Sequence, residues 1–231
     1  MKQQMGQLSG RRLDIARWGS HVPLHRAILK SFTIDGILEL GAGIYSTKEF
    51  FSSSKRVISI ENDGGWIDRL RDHVDEDATH RMVHHVLKNK SIDKGTPLEQ
   101  VTEKERLDAI SFYKQYVSDD INMLFIDGYT CFRFDALQSL YGFFDIVTYH
   151  DAEESELYGY NYFRNYMKYL HFIDKTFIVY TGLLIRPDLK DHIPLFMENF
   201  KKECEIYADY LNVDAPVRIE DKNETGNGSS S

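Results

Sequence analysis

Cysteine, basic charge and long apolar runs are the three things this sequence has least of, and each shortage removes a class of protein. Cys131 and Cys204 are the only cysteines in 231 residues, too few for a disulfide framework, so reduced thiols in a cytoplasmic setting are expected. The opening stretch MKQQMGQLSGRRLD has no apolar core of the kind a secretory signal needs, and no window approaches the length of a membrane span. A soluble protein without a membrane partner is therefore expected. Lys and Arg total 28 against 36 Asp and Glu, a formal net charge of -8 with no basic run, which argues against nucleic acid as a bulk partner.

What remains is an ordinary globular composition, with 42% hydrophobic, 13% aromatic and 28% charged residues. That length fits a single domain with a sizeable core over residues 1–220. The polar tail from Asp221, DKNETGNGSSS, is expected to be disordered, and its matches to Asn-x-Ser/Thr at Asn223 and Asn227 read as chance.

The most informative stretch is Ile37 to Thr47, ILELGAGIYST. Ile37, Leu38 and Leu40 signal a buried strand, Gly41-Ala42-Gly43 breaks it, and Ser46-Thr47 can cap a following helix. A glycine turn of this kind lets a ligand approach the backbone with no Cβ in the way. Two ligand classes use it. A dinucleotide fingerprint wants a third glycine where Ser46 stands and asks for no acid at the strand end, whereas Glu39 occupies that place here.

Further on, Arg56 to Ile60, RVISI, forms a second apolar strand that ends in Glu61-Asn62-Asp63, about twenty residues after Gly41 and a crossover helix away. An acid there can accept both hydroxyls of a ribose. Asn122 to Gly128, NMLFIDG, is a third such block, with Asp127 at its end. In an open parallel sheet ligands collect beyond the carboxyl ends of the strands, so Glu39, Glu61 and Asp127 would project toward one crevice.

Together these blocks resemble the class I S-adenosylmethionine-dependent methyltransferases, in the branch that acts on small-molecule hydroxyls. The resemblance covers roughly Ser20 to Pro187 and departs at Tyr45, where many members carry glycine. It implies an α/β fold, a Rossmann-like mostly parallel sheet with helices on both faces and a C-terminal antiparallel β-hairpin. It also implies S-adenosylmethionine as cofactor, held by Glu39, Gly41, Gly43, Ser46, Thr47, Glu61, Asn62 and Asp127, with Glu39 on the amino-acid portion and Glu61 on the ribose. Trp66 would lie near the adenine or pack the next helix.

The acceptor edge is read from a fifth strand, Phe144 to Tyr149, which ends in His150-Asp151. Metal-dependent relatives carry Asp-Asp or Asp-Asn there. Two roles stay open: Asp127, His150 and Asp151 could hold Mg²⁺ that acidifies a substrate hydroxyl, or His150 could act as general base. His21, in Trp18-Gly19-Ser20-His21, could reach substrate or be merely solvated. His84 and His85, adjacent on a third strand read over Arg81 to Leu87, point to opposite faces and cannot easily share a metal.

Three further segments complete the reading. Lys88 to Asp120 is a polar insertion with helical spacing, which could be a lid, a homodimer surface or decoration. Leu157 to Phe172 is rich in aromatics, with Tyr162, Tyr166 and Tyr169 on one face if helical, suited to a compact acceptor pocket. Thr176 to Tyr180 and Leu183 to Ile185, joined at Thr181-Gly182, read as the terminal hairpin, and Ile193 to Leu211 as the closing helix. The expected function is methyl transfer to a small-molecule hydroxyl. The alternatives are a nucleotide or nucleic-acid modifying methyltransferase, and a non-catalytic cofactor-binding protein of the same fold.

Overall fold

The computed structural model describes residues 11–53, 55–163, 168–213 and 215–223, with the side chains of 11–14 left aside. The chain divides into two compact units, one formed by Ile34–Tyr149 with Glu154–Asn165 and the other by Met1–Thr33, His150–Glu153 and Tyr166–Ser231.

The first unit is a parallel α/β layer. Its strands are β1 (Gly36–Leu40), β2 (Arg56–Glu61), β3 (His80–His84), β4 (Met123–Ile126) and β5 (Ile146–His150), in the order β3-β2-β1-β4-β5. Every neighbouring pair among them is parallel. All residues of β1 and β4 are buried, as expected of central parallel strands read as continuous apolar runs. The order reverses between β1 and β4, and such a switch point is where open α/β sheets bind ligands.

The connecting helices are α3 (Ser46–Phe51), α4 (Gly64–Leu70), α5 (Glu103–Lys114) and α6 (Thr130–Leu140). The expected insertion thus carries one regular helix, α5, started by a capping box in which Thr102 and Glu105 satisfy each other's backbone. Two strands end differently from the sequence reading. β3 stops at His84, although the His85 amide still donates to the Glu61 carbonyl at 2.8 Å. β5 starts at Ile146 because the amides of Asp145 and Ile146 both turn to the Asn122 carbonyl, and it runs on to His150.

The second unit contains α1 (Arg11–Trp18), α2 (Val22–Ser31), β6 (Leu170–Asp174), β7 (Thr181–Ile185), α7 (Ile193–Leu211) and β8 (Ile219–Asp221). α2 lies along α7, which buries Phe196, Phe200, Cys204, Tyr207 and Leu211 at helical spacing. Polar contacts fix their register: Asn199 Nδ2 donates to Ser31 Oγ at 2.9 Å, and Lys30 Nζ reaches the buried Glu203 carboxylate at 2.5 Å. The strands are antiparallel in the order β7-β6-β8.

This unit corrects the sequence reading in three places. An antiparallel pair is present, but its first strand is Leu170–Asp174, and Thr176 to Tyr180 forms the connection. Asp174 ends the strand because its carboxylate turns back to accept the Thr176 amide at 2.8 Å. The aromatic segment forms no continuous helix among the described residues: Gly159 sits at φ +73°, and the short turn that follows it covers Tyr160–Tyr162. Tyr162 is 58% exposed while Tyr169 is 7% exposed, so they do not share a buried face, and Tyr166 lies outside the described residues. Finally, Asp221 closes β8, and Asn223 Nδ2 donates to the His171 carbonyl at 3.3 Å. The expected disorder from 224 onward, including Asn227, concerns residues outside the described ones. No described helix is long and apolar enough to cross a membrane.

Candidate functional site

The parallel unit brings most of the predicted cofactor residues to one edge. Leu40 pairs with Ile60 on one side and with Ile126 on the other, so the next residues, Glu61, Gly41 and Asp127, leave three adjacent strands side by side. Two backbone bonds hold them level: the Gly41 amide donates to the Ile60 carbonyl at 2.8 Å, and the Asp127 amide to the Leu40 carbonyl at 2.7 Å. Gly41 sits at φ +95°, and a side chain there would collide with the backbone of Asp127 and Gly128. Only glycine fits that close approach. A Cβ on Gly43 would meet only Ser46 Oγ, at 3.0 Å, so this side of the turn is bare.

Glu39 lies under the turn and is fully buried. Its Oε2 accepts hydrogen bonds from Thr47 Oγ at 2.8 Å and from Ser59 Oγ, while Thr47 Oγ in turn accepts the Gly43 amide at 2.9 Å. The acid, the second glycine and the threonine thus form one wired loop. Oε1 of the same carboxylate is buried with no hydrogen-bond partner. Ser46 Oγ is close enough to favour the ionised form, yet it makes no hydrogen bond of ordinary geometry and is itself buried without a partner. Burial is the largest influence and raises the Glu39 pKa to about 7, against the opposing effect of the three hydroxyls.

Glu61, at the end of β2, turns one oxygen back on its own loop. Oε1 accepts the amides of Asn62 at 2.6 Å and Asp63 at 2.9 Å. Burial raises its pKa, and those two amides oppose the rise. Asn62 is held from the side: its Nδ2 lies 3.0 Å from His85 Nδ1 and 3.2 Å from the His85 carbonyl. His84 covers Gly64, where an added Cβ would fall 2.7 Å from its ring, and its Nε2 lies 3.1 Å from the Asn62 carbonyl. Both histidines therefore brace the loop that carries Glu61.

Of the two roles open to Trp66, packing is the one its contacts display. The indole Nε1 donates to the Ala42 carbonyl at 2.8 Å, and the ring packs on a small cluster of Ala42, Ile67, Leu70 and Met82. The glycine turn is pinned from the α4 side.

Asp127 carries a partner that sequence reading did not single out. Its Oδ1 accepts from Arg133 Nη2 at 2.8 Å, and Arg133 Nε donates to the Gly128 carbonyl at 2.8 Å. Arg133 is 2% exposed, and its guanidinium lies 4.1 Å from the centre of the Tyr158 ring. The signal in the sequence was an arginine set between Phe132 and Phe134 on α6. A buried guanidinium needs an anion, and Asp127, six residues back, supplies it although Asp135 is nearer in sequence.

His150 and Asp151 belong to the other unit, together with His21. His150 ends β5 and is 1% exposed; its Nε2 lies 3.0 Å from Ser20 Oγ, and its Nδ1 lies 3.8 Å from Asp151 Oδ1. Asp151 adopts φ +57°, a left-handed conformation uncommon outside glycine. The His21 ring stands edge-on to His150 with centroids 4.7 Å apart and lies 5.0 Å from His25. His21 is thus buried among histidines rather than solvated. Glu153 follows, with its pKa raised chiefly by burial and its Oε2 accepting the Tyr180 amide at 2.7 Å.

Chemically, the edge of the parallel unit offers acceptors. Glu39, Glu61 and Asp127 suit hydroxyls or an ammonium group and oppose a pyrophosphate. Glu39 keeps a buried oxygen with no hydrogen-bond partner at this edge, and Glu61 gives one oxygen to its own loop. Comparison with known proteins adds no name to this geometry: no family model matches the chain, and no curated protein matches it in sequence.

Proposed function

We propose that this chain is an S-adenosylmethionine-dependent methyltransferase acting on a small-molecule hydroxyl. The observation that carries the reading is the alignment of Glu61, Gly41 and Asp127 on adjacent parallel strands at the switch point, with the unpartnered Glu39 oxygen beneath the turn. Bound S-adenosylmethionine would supply the methyl group, the bond to its sulfur breaking as the bond to the acceptor oxygen forms, with S-adenosylhomocysteine leaving and the hydroxyl proton passing to a base. Glu39 Oε1 would accept from the ammonium of its amino-acid end, with Gly41 and Gly43 leaving the backbone open to it. Glu61 would accept from the ribose hydroxyls through the oxygen not committed to its own loop. Within its own unit His150 is the candidate general base, with Ser20 Oγ 3.0 Å from its Nε2.

Asp127 supports a narrower role than direct participation, because Arg133 already neutralises it. It holds Gly128 and the Gly41 turn in place.

Calorimetric titration with S-adenosylmethionine, S-adenosylhomocysteine and NAD, each with Mg²⁺ and with EDTA, tests the proposal. Micromolar binding of the first two, without NAD, is expected. Binding of NAD alone would overturn the reading of the Gly41 turn, and binding of none would leave a different function for this fold.

A further inference from the structure

A recess in the parallel unit lies away from the edge just described. It is a groove of about 450 Å³ between the segment that leaves β3 and helix α5, within the volume range of about 300–1,000 Å³ usual for small-ligand sites. His85, Val86, Ile92, Ala109, Phe112 and Phe132 supply its apolar walls. None of the residues assigned above to the cofactor lines it. The His85 and Phe112 rings are stacked, with centroids 4.2 Å apart and planes 12° from parallel, so one wall is a flat aromatic edge. Val86 is 56% exposed at the mouth, an apolar side chain left in water unless something covers it.

The charged groups at the rim are already paired. Lys88 Nζ lies 3.1 Å from Asp108 Oδ2, and Asn89 Nδ2 donates to Glu105 Oε1 at 2.9 Å. Glu105 spends its other oxygen on the Thr102 amide and hydroxyl. Two acids against one lysine leave no surplus positive charge for an anion, and a cation would have to compete with the partners both acids already have.

We infer that this groove is a binding site for a compact, uncharged aromatic molecule, separate from the site at the Gly41 turn. An aromatic ring adds to the His85–Phe112 pair, whose facing planes already cover each other, and an uncharged ligand avoids desolvating a charge. The site also has a built-in reporter. His85 forms part of the wall and at the same time holds the Asn62 side chain, so occupancy shifts the environment of the Asn62 amide without requiring turnover.

The probe is 2-naphthol, titrated into the full chain by calorimetry and by NMR of side-chain amides. A molecule of this size should bind one to one with a dissociation constant on the order of 0.1–1 mM. The Asn62 side-chain resonances should move with the same saturation curve. Val86→Glu, at the exposed mouth, and Ala109→Leu, which fills the interior, should each weaken binding about tenfold or more. Val86→Glu decides the matter if Ala109→Leu does not fold. 2-Naphthoate should bind at least about tenfold more weakly than the naphthol. The inference is overturned by absence of saturable binding, by binding that both variants leave unchanged, or by naphthoate binding equally well. Displacement of 2-naphthol by S-adenosylhomocysteine would also overturn it, since the ligand would then sit in the cofactor's place. Failure of the cofactor proposal alone would leave these results untouched.

Discussion

Replacing Asp174 with asparagine should make the protein more stable at alkaline pH and hardly change it in acid. Asp174 ends β6, is 3% exposed, and pairs across the sheet with Thr181 on β7 and Ile219 on β8. The polar groups acting on its carboxylate are the Thr176 amide and hydroxyl, and no cation is among them, so burial dominates and raises its pKa from 3.8 to about 7. The sign follows directly. Below 3.8 the acid is protonated in the folded and unfolded chains alike and adds no pH dependence. From there to about 7 the unfolded chain has lost the proton while the folded one keeps it, so stability falls as pH rises. Above about 7 the whole penalty is present. The interval from 3.8 to about 7 corresponds to about 4 kcal/mol, at about 1.4 kcal/mol per tenfold. Asparagine keeps the shape and an oxygen for the Thr176 amide but has nothing to ionise. Urea unfolding at a series of pH values would measure it: the variant's advantage should grow by about 3 kcal/mol between about pH 4.5 and 8.5. Glu39 falls in the same direction over roughly its own window up to about 7, whereas His85 and His171, depressed to about 4 by burial, lose stability as pH falls below about 6.5. Those groups are common to both proteins and cancel in the difference. A difference that stays flat across the range, or shrinks toward alkaline pH, would refute the assignment of a buried, uncompensated carboxyl.

Two other substitutions test the supports of the glycine turn. Arg133→Lys should destabilise by about 2–4 kcal/mol in urea unfolding, because one ammonium cannot replace the guanidinium that serves Asp127, Gly128 and the Tyr158 face together; stability within about 0.5 kcal/mol of the parent would show that the fork is dispensable. Trp66→Phe removes the bond to the Ala42 carbonyl and should cost about 1 kcal/mol in stability; under the proposed function it should also weaken S-adenosylhomocysteine binding in calorimetry, and unchanged affinity would free the turn from dependence on Trp66.

How far the sequence was legible depends on whether a feature is local. ILELG, RVISIE and MLFIDG each combine an apolar run with an acid at or near its end, and a buried parallel strand needs little else to be read. The order of those strands is not local, yet a crossover helix between successive blocks leaves few alternatives. The terminal hairpin was misplaced for the opposite reason. Thr176 to Tyr180 is as apolar and β-branched as Leu170–Asp174, and the choice between them is made by pairing with β7 and β8 and by the turn that Asp174 closes on Thr176. Propensity cannot see a partner strand.

Side-chain roles divide in the same way. Glu39, Gly43 and Thr47 lie within nine residues of one another, so their shared loop of hydrogen bonds could be anticipated from spacing. The groups that brace this edge come from a distance: His85 meets Asn62 across 23 residues, and Trp66 meets Ala42 across 24. Single-sequence spacing is silent about such pairs. Arg133 is the instructive case between them. It stands only six residues from Asp127, but a helix begins in that interval, and its direction turns the arginine back under the strand end. An arginine between Phe132 and Phe134 was readable as an anomaly; that Asp127 rather than the nearer Asp135 answers it required the fold. The acids at the strand ends were taken from the sequence as one chemical set, and the structure separates them by partner: Glu39 keeps an oxygen unsatisfied, Glu61 commits one to its own loop, and Asp127 is already paired with a cation. Ligand binding energy at this edge is therefore expected to come from Glu39 and Glu61, because only an acceptor not already satisfied gains by meeting a donor.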